Sequence, residues 1–157
     1  MGNTIPFPQA NDLERVMTIL DIEDPDSLNE PGVIEQLIGD LTSRQADYYL
    51  NACRYLGFIE ADSRAFTSKG AVYRSKTIIG KKAELIRAIL SDPVFGNVYF
   101  TSKLLGIKPT KEDASDMIVS VYPELADATA VLIRRGSTVV SWCRWIENQL
   151  SPSGELD

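Results

Sequence analysis

Apolar residues recur three and four positions apart along much of this chain, which is the spacing that places them on one face of an α-helix. The most regular stripe lies between residues 46 and 56 and is bordered by polar positions on its other side. Its members are Ala46, Tyr49, Leu50, Cys53 and Leu56. This pattern predicts an amphipathic helix that buries one face and exposes the other.

Both ends of this helix are marked by the residue types expected there. Thr42 precedes Gln45 by three positions, which is a capping-box pattern, and Gly57 follows the last helical apolar residue, where a left-handed C-terminal cap is favoured. The outward face then carries side chains suited to hydrogen bonding. These are Arg44, Gln45, Tyr48, Asn51 and Tyr55.

The residues after Gly57 favour a short hairpin followed by another helix. Phe58–Ile59 and Ala65–Phe66 suit two short strands joined by the turn-like residues 62–64, and Thr67 or Ser68 suits a helix cap before Lys69. This order, a helix followed by a hairpin and then by the beginning of a second helix, predicts a winged helix-turn-helix. The alternative is a helix that simply packs on a hairpin.

The rest of the chain repeats this organisation with a less clear boundary. Helical apolar patterns also occur near residues 13–20, 33–38, 81–90, 93–100, 112–121 and 127–150. We therefore expect a mainly α protein with short β-hairpin wings, an α+β class, built as a tandem winged helix-turn-helix. The predicted divisions are a first winged-helix unit at 1–80, a second helical or winged-helix-like unit at 81–150, and a flexible tail at 151–157.

Charge is unevenly distributed within the net −6 of the 157 residues. Residues 1–40 carry −8, residues 41–87 carry +5 and residues 88–157 carry −3. Because phosphate binding requires a local basic cluster, the middle segment is the candidate DNA-binding surface. Its candidate residues beyond the helix face are Arg54, Arg64, Lys69 and Arg74. The alternative is that these bases pair with the acidic N-terminal region inside one fold.

The last predicted helix has a polar side that resembles the first one in role. Arg134, Arg135 and Thr138 lie there and are further candidates for DNA contact. Trp142 and Trp145 follow on the same helix. Paired tryptophans at such a position more often close a core or form a dimer contact than stack on bases, so a core role, a homodimer contact and base stacking all remain open.

Several short segments together resemble a known class of domain. The segments are 44–49 (RQADYY), 54–58 (RYLGF), 66–70 (FTSKG) and 130–142 (AVLIRRGSTVVSW). They resemble the winged-helix domains that accompany restriction endonucleases and related bacterial defence proteins. The resemblance implies a tandem winged-helix DNA-binding unit that serves a nuclease or another effector.

Enzyme chemistry finds little support in the composition. The chain has no histidine, and its two cysteines are too far apart for a CxxC zinc site. It lacks a glycine-rich phosphate loop and a GxSxG nucleophile elbow. Lys111, Glu112, Asp113 and Asp116 are better explained as solvated charges than as a metal site. We therefore expect no enzyme activity, no cofactor and no metal.

No apolar run approaches the roughly 20 residues needed to span a bilayer, and the N-terminus lacks a signal-peptide pattern. The sequence therefore predicts a cytoplasmic protein without a membrane partner.

Double-stranded DNA is the partner that these features favour, with an effector protein or nuclease as a possible second one. Gln45 and Asn51 can form paired hydrogen bonds with adenine, Arg44 can do so with guanine, and Arg64 would contact the backbone or minor groove. The alternative function is a protein-binding adaptor, or a regulator that mimics DNA with its acidic first forty residues.

Overall fold

A computed structural model describes residues 5–39 and 42–151. The chain divides into two compact units, residues 1–88 and 89–157, and the division falls C-terminal to the position 80/81 expected from the sequence. The predicted tail lies outside the described residues except for Ser151.

Unit 1 is built from short helices. They are α1 (Leu13–Leu20), α2 (Val33–Ile38), α3 (Ser43–Tyr55), α4 (Ser68–Arg74) and most of α5 (Ile78–Ser91), with a 3₁₀ turn at Pro25–Asn29. The α3 stripe expected from the sequence is buried against α1 and α2. At its centre the Cys53 thiol lies 4.0 Å from the carbonyl oxygen of Val16.

Both predicted ends of α3 are confirmed. The Thr42 hydroxyl accepts from the Gln45 backbone N–H at 3.2 Å, and the Gln45 side chain accepts from the Thr42 N–H at 3.2 Å, which completes the capping box. Gly57 has φ +87°, and the Phe58 N–H returns to the Cys53 carbonyl at 3.0 Å. A left-handed residue followed by this bond is the geometry that satisfies the last carbonyls of a helix.

The predicted hairpin wing is wrong. In the described residues the two expected strands are reduced to one antiparallel bridge between Ile59 and Phe66. Two backbone hydrogen bonds flank it, from Glu60 N–H to the Ala65 carbonyl at 2.9 Å and from Thr67 N–H to the Phe58 carbonyl at 3.0 Å. Pairing this short leaves too few ladder bonds for a sheet, so the α+β class is corrected to an all-α class.

Unit 2 contains α6 (Pro93–Leu105), α7 (Lys111–Val121) and α8 (Thr129–Leu150), with a 3₁₀ turn at Pro123–Leu125. None of its described residues forms a strand or a wing. The Phe95 ring stacks on the fully buried Trp142 indole with centroids 4.6 Å apart. Trp142 therefore closes the core of unit 2 and is not available as a dimer contact, while Trp145 is half-buried.

Gly136, near the middle of α8, allows the close approach of α7 and α8. A Cβ at this position would lie 2.9 Å from the Lys111 carbonyl oxygen and 2.8 Å from the Ser115 hydroxyl oxygen. The Ser115 hydroxyl could rotate away, but the contact with the Lys111 backbone oxygen could be relieved only by a shift of the backbone. The absence of a side chain at residue 136 is therefore a packing requirement.

We expect Gly136→Ala to lower the free energy of unfolding by about 1–2 kcal/mol, measured by urea denaturation. Alanine alone would favour the helix by about 1 kcal/mol over glycine, so the sign of the change reports the steric conflict. Ser137→Ala, at the neighbouring half-buried position, is the control and should change stability by less than about 0.5 kcal/mol. A Gly136→Ala variant more stable than the wild type would contradict the packing argument.

Candidate nucleic-acid interface

Helix α2 ends at Ile38 and α3 begins at Ser43, a spacing in the chain that is short enough for a helix-turn-helix. Gly39 ends α2 with φ +76°, a conformation that residues with a Cβ adopt rarely, and Thr42 caps α3. In helix-turn-helix proteins the first turn of the second helix meets the base edges of the major groove. The corresponding residues here are Ser43, Arg44 and Gln45.

The N-terminal half of α3 presents an open polar face. Arg44 and Gln45 are exposed and Tyr48 is half-buried. Arg44 Nε donates to the Tyr48 hydroxyl oxygen at 2.9 Å, and its guanidinium carbon lies 5.7 Å from the centroid of the Tyr48 ring. Gln45 is exposed and uses its side-chain oxygen in the capping box, which leaves the two amide N–H groups as the donors of this side chain. These three residues form what we call the α3 face.

Asn51 and Arg54 are placed differently, because both take part in an internal network. Arg54 donates from Nη1 to the Asn51 side-chain oxygen at 3.1 Å, from Nε to the Glu60 carbonyl at 3.0 Å and from Nη2 to the Ser63 carbonyl at 2.7 Å. Burial, followed by the nearby charge of Arg64, lowers the pKa of the Arg54 guanidinium. Arg54 therefore closes the loop that sequence analysis assigned to a wing.

Arg64 and Lys69 also bind backbone carbonyls. Arg64 Nη1 donates to the Leu28 carbonyl at 3.0 Å. Lys69 Nζ donates to the Leu56 carbonyl at 2.8 Å and lies 5.1 Å from the Phe58 ring centroid. Burial lowers the pKa of Lys69. Both side chains thus stabilise unit 1 in the folded chain.

Arg74 is the most extensively bound of the predicted DNA contacts. Its Nη1 donates to the carbonyls of Leu20 and Ile22 at 2.8 and 2.6 Å, and its Nη2 donates to the carbonyl of Glu23 at 3.3 Å. The guanidinium also lies 5.1 Å from the Phe66 ring centroid. Arg74 therefore holds the segment that follows α1.

The structure thus agrees at several positions with the alternative, in which basic side chains of residues 41–87 bind the acidic N-terminal region within the fold. Arg64 and Arg74 bind carbonyls of that region, and Lys81 forms an ion pair with Asp21 at 2.9 Å. A carbonyl oxygen carries no net charge, however, so the guanidinium groups of Arg54, Arg64 and Arg74 keep their positive charge. Their hydrogen bonds make them anchors, and their charge still favours an anion nearby.

The three candidate DNA contacts in unit 2 also differ in their exposure to solvent. Arg134 is exposed on α8 and Arg135 is half-buried. Thr138 is completely buried, and its hydroxyl donates to the Arg134 carbonyl at 3.3 Å within the same helix. The prediction that Thr138 contacts DNA is therefore wrong in this structure, because α8 turns that side chain into the core.

A groove between α6 and α8, which we call the α6–α8 groove, was not predicted from the sequence. It encloses about 460 Å³ and is lined by Lys103, Lys108 and Arg144 among others. The missed signal was the pairing of α6 with α8, which brings together residues far apart in the chain. The Glu147 carboxylate in the lining accepts two hydrogen bonds, from Lys103 Nζ at 2.7 Å and from the Tyr99 hydroxyl at 3.0 Å.

These two hydrogen bonds change the pKa values of the groups that they join. They lower the pKa of the Glu147 carboxyl, and burial together with the Glu147 contact raises the pKa of the Tyr99 hydroxyl to about 12. The Cys143 thiol also lines the groove, and burial raises its pKa to about 12. The groove is therefore a set of cations around one engaged carboxylate, without a reactive thiolate.

The described residues show no group of three or more histidine, cysteine or acidic side chains that could hold a metal ion. Among the helices in the described ranges, none combines the length and hydrophobicity that crossing a bilayer requires.

We expect Arg74→Met to lower the free energy of unfolding by about 2–4 kcal/mol, because the carbonyls after α1 lose a charged donor. Arg44→Met is the matched control, since Arg44 is exposed and contacts Tyr48 within its own helix. We expect it to change stability by less than about 0.5 kcal/mol. Urea denaturation measures both, and equal effects would contradict the distinction between anchor and open face.

Comparison with known proteins gives one family match. Residues 15–151, from within α1 to just after α8, match the family described as "Domain of unknown function (DUF7226)". The curated proteins and the solved structures contain no match to the chain. Since the matched region covers most of the chain and helices of both units, this protein belongs to the DUF7226 family.

Proposed function

We propose that this protein binds double-stranded DNA through the α3 face, as a helix-turn-helix module without wings. The observation that carries the proposal is the exposure of Arg44 and Gln45 in the first turn of α3, a helix that begins shortly after α2 in the chain. Recognition helices of this kind contact base edges with their N-terminal residues.

The chemistry of the α3 face suits base recognition. An arginine guanidinium can bind guanine through two hydrogen bonds, and a glutamine amide can bind adenine. Tyr48 orients Arg44 from the same helix, which limits the number of arginine conformations that must be ordered on binding. Arg54, Arg64 and Arg74 contribute positive charge to unit 1 while remaining bound to carbonyls.

Within this proposal the chain supplies recognition rather than chemistry. The resemblance to domains that accompany restriction endonucleases suggests a nuclease or another defence effector as the functional partner. DNA binding would assign the protein to the compartment that holds DNA, which is the cytoplasm of a bacterial cell.

The proposal predicts salt-sensitive binding to a labelled duplex, measured by fluorescence anisotropy across a series of salt concentrations. We expect Arg44→Glu to weaken binding by about tenfold or more, because it replaces a donor with a repelled carboxylate. Arg44 is exposed, so the variant should unfold at the same urea concentration as the wild type.

Lys111→Glu is the matched control, since it makes the same change in net charge at an exposed residue of unit 2. We expect it to weaken binding by less than about threefold, through the overall field alone. No salt-sensitive binding by the wild type, or an equal effect of both variants, would rule out recognition through the α3 face.

A second candidate function is a regulator that binds a basic partner with an acidic surface. Exposed carboxylates on and beside the 3₁₀ turn of unit 1 favour it, namely Glu23, Asp24, Asp26 and Glu30. Such a protein would be retained by an immobilised polycation and would not bind the duplex, so the anisotropy experiment separates the two functions.

A further inference from the structure

The outward side of α6 is apolar, although its inward side already supplies the core of unit 2. Val94, Phe95 and Val98 are buried on the inward side. Phe100 and Leu104 lie one turn apart on the opposite side, and Leu104 is 86% exposed. Leu105, the last residue of α6, and Ile107, just beyond the helix, are also exposed. We call these four residues the α6 ridge.

Single exposed apolar residues are common on protein surfaces, but a contiguous group marks an interaction site. The members of the α6 ridge are all exposed and lie close together in the chain, and Leu105 and Ile107 also line a hollow beside α7, so they are a candidate for such a site. Its chemistry requires a partner that is apolar along the centre of the contact.

The two flanks of the α6 ridge carry opposite charge. On the α8 side, Lys103, Lys108 and Arg144 line the α6–α8 groove, and its carboxylate Glu147 is already bonded to Lys103. On the α7 side, a hollow of about 300 Å³ is lined by residues that include Asp113 and Asp116. None of the described residues that line this hollow is a lysine or an arginine.

A partner for this surface must therefore be apolar in the middle, acidic along one edge and basic along the other. The α6 ridge and its flanks meet this description themselves. In a two-fold symmetric contact each copy presents the same patch to the other, so a self-complementary surface is the requirement for a symmetric dimer.

We propose that the α6 ridge is the interface of a homodimer in which the α6 helices of two copies pack side by side in parallel. A two-fold axis along α6 places the α7 flank of each copy opposite the α8 flank of the other, so acidic residues face basic ones. A two-fold axis perpendicular to α6 would instead pack the helices antiparallel and place the α7 flank of one copy opposite the α7 flank of the other. Like charges would then face each other, which is unfavourable at an interface. The charge pattern thus selects the parallel arrangement.

This dimer does not require DNA, so it is tested on the DNA-free full chain by sedimentation equilibrium. We expect a monomer–dimer equilibrium whose dissociation constant rises about tenfold or more in Leu104→Ser, because the variant removes the most exposed apolar side chain at the centre of the contact. Ile79→Ser is the matched control, since Ile79 is 78% exposed on α5 and lies outside the α6 ridge. A wild-type chain that stays monomeric into the high micromolar range, or a dimer equally affected by both variants, would overturn the proposal.

The charge pattern is tested by exchanging one residue on each flank. Arg144→Glu and Asp116→Arg should each weaken the dimer, because each places like charges opposite one another, and the double variant should recover most of the loss. Both residues are exposed, so the variants should keep the wild-type urea midpoint. A double variant weaker than either single one would overturn the parallel arrangement.

Disulfide cross-linking tests the same arrangement directly. In a parallel dimer residue 100 faces residue 100 and residue 104 faces residue 104, so Phe100→Cys and Leu104→Cys should each form a covalent dimer under mild oxidation. The wild type is the control, because its Cys53 and Cys143 are buried and should not cross-link. Failure of both variants to cross-link, or cross-linking of Leu104→Cys alone, would overturn the parallel packing.

Discussion

Unit 1 depends on arginine side chains that satisfy backbone carbonyls which no sheet or helix can satisfy. Arg74 donates to the carbonyls of Leu20 at the end of α1 and of Ile22 just after it, and Arg54 donates to those of the loop after α3. A buried or half-buried carbonyl without a partner is costly, and a guanidinium offers five donors in a rigid fork. The segment after α1 and the loop after α3 can therefore pack against a small helical core. The same bonds explain why the expected wing is a closed loop, since Arg54 takes the place of the missing strand ladder.

Unit 2 uses a different constraint, which is the close approach of helices. Gly136 lets α8 lie against the backbone of α7, and the stacked rings of Phe95 and Trp142 fill the space beside α6. This core uses one side of α6 and leaves the other side apolar and exposed. The stability of the unit therefore does not explain the sequence of the outward side, whereas a partner surface does.

The sequence predicted the features that depend on neighbouring residues. The α3 stripe, its capping box and the left-handed Gly57 follow from spacing and residue type, because a helix and its caps are local structures. The wing failed because Phe58–Ile59 and Ala65–Phe66 have strand-like composition but pair at one position only. Composition reports a preference for extended backbone, and it does not report how many ladder bonds will form.

The candidate site was harder to predict, for a related reason. Arg44 and Arg74 look alike in the sequence, yet one is exposed at the start of a helix and the other binds three carbonyls about fifty residues away in the chain. Thr138 was assigned to the polar side of α8, yet its side chain is completely buried. Which polar residues remain at the surface is decided by the packing of distant segments, which periodicity does not contain.

The capping box of α3 links the folding of this protein to its evolution. Gln45 secures the start of the helix with one end of its amide and keeps the N–H groups of the other end as donors, so a substitution there alters two properties at once. Arg44 and Tyr48 do not take part in the capping box. If α3 recognises DNA as proposed, a lineage that acquires a new target should therefore change positions 44 and 48 as a pair and retain a side chain at 45 that can still accept a bond from Thr42.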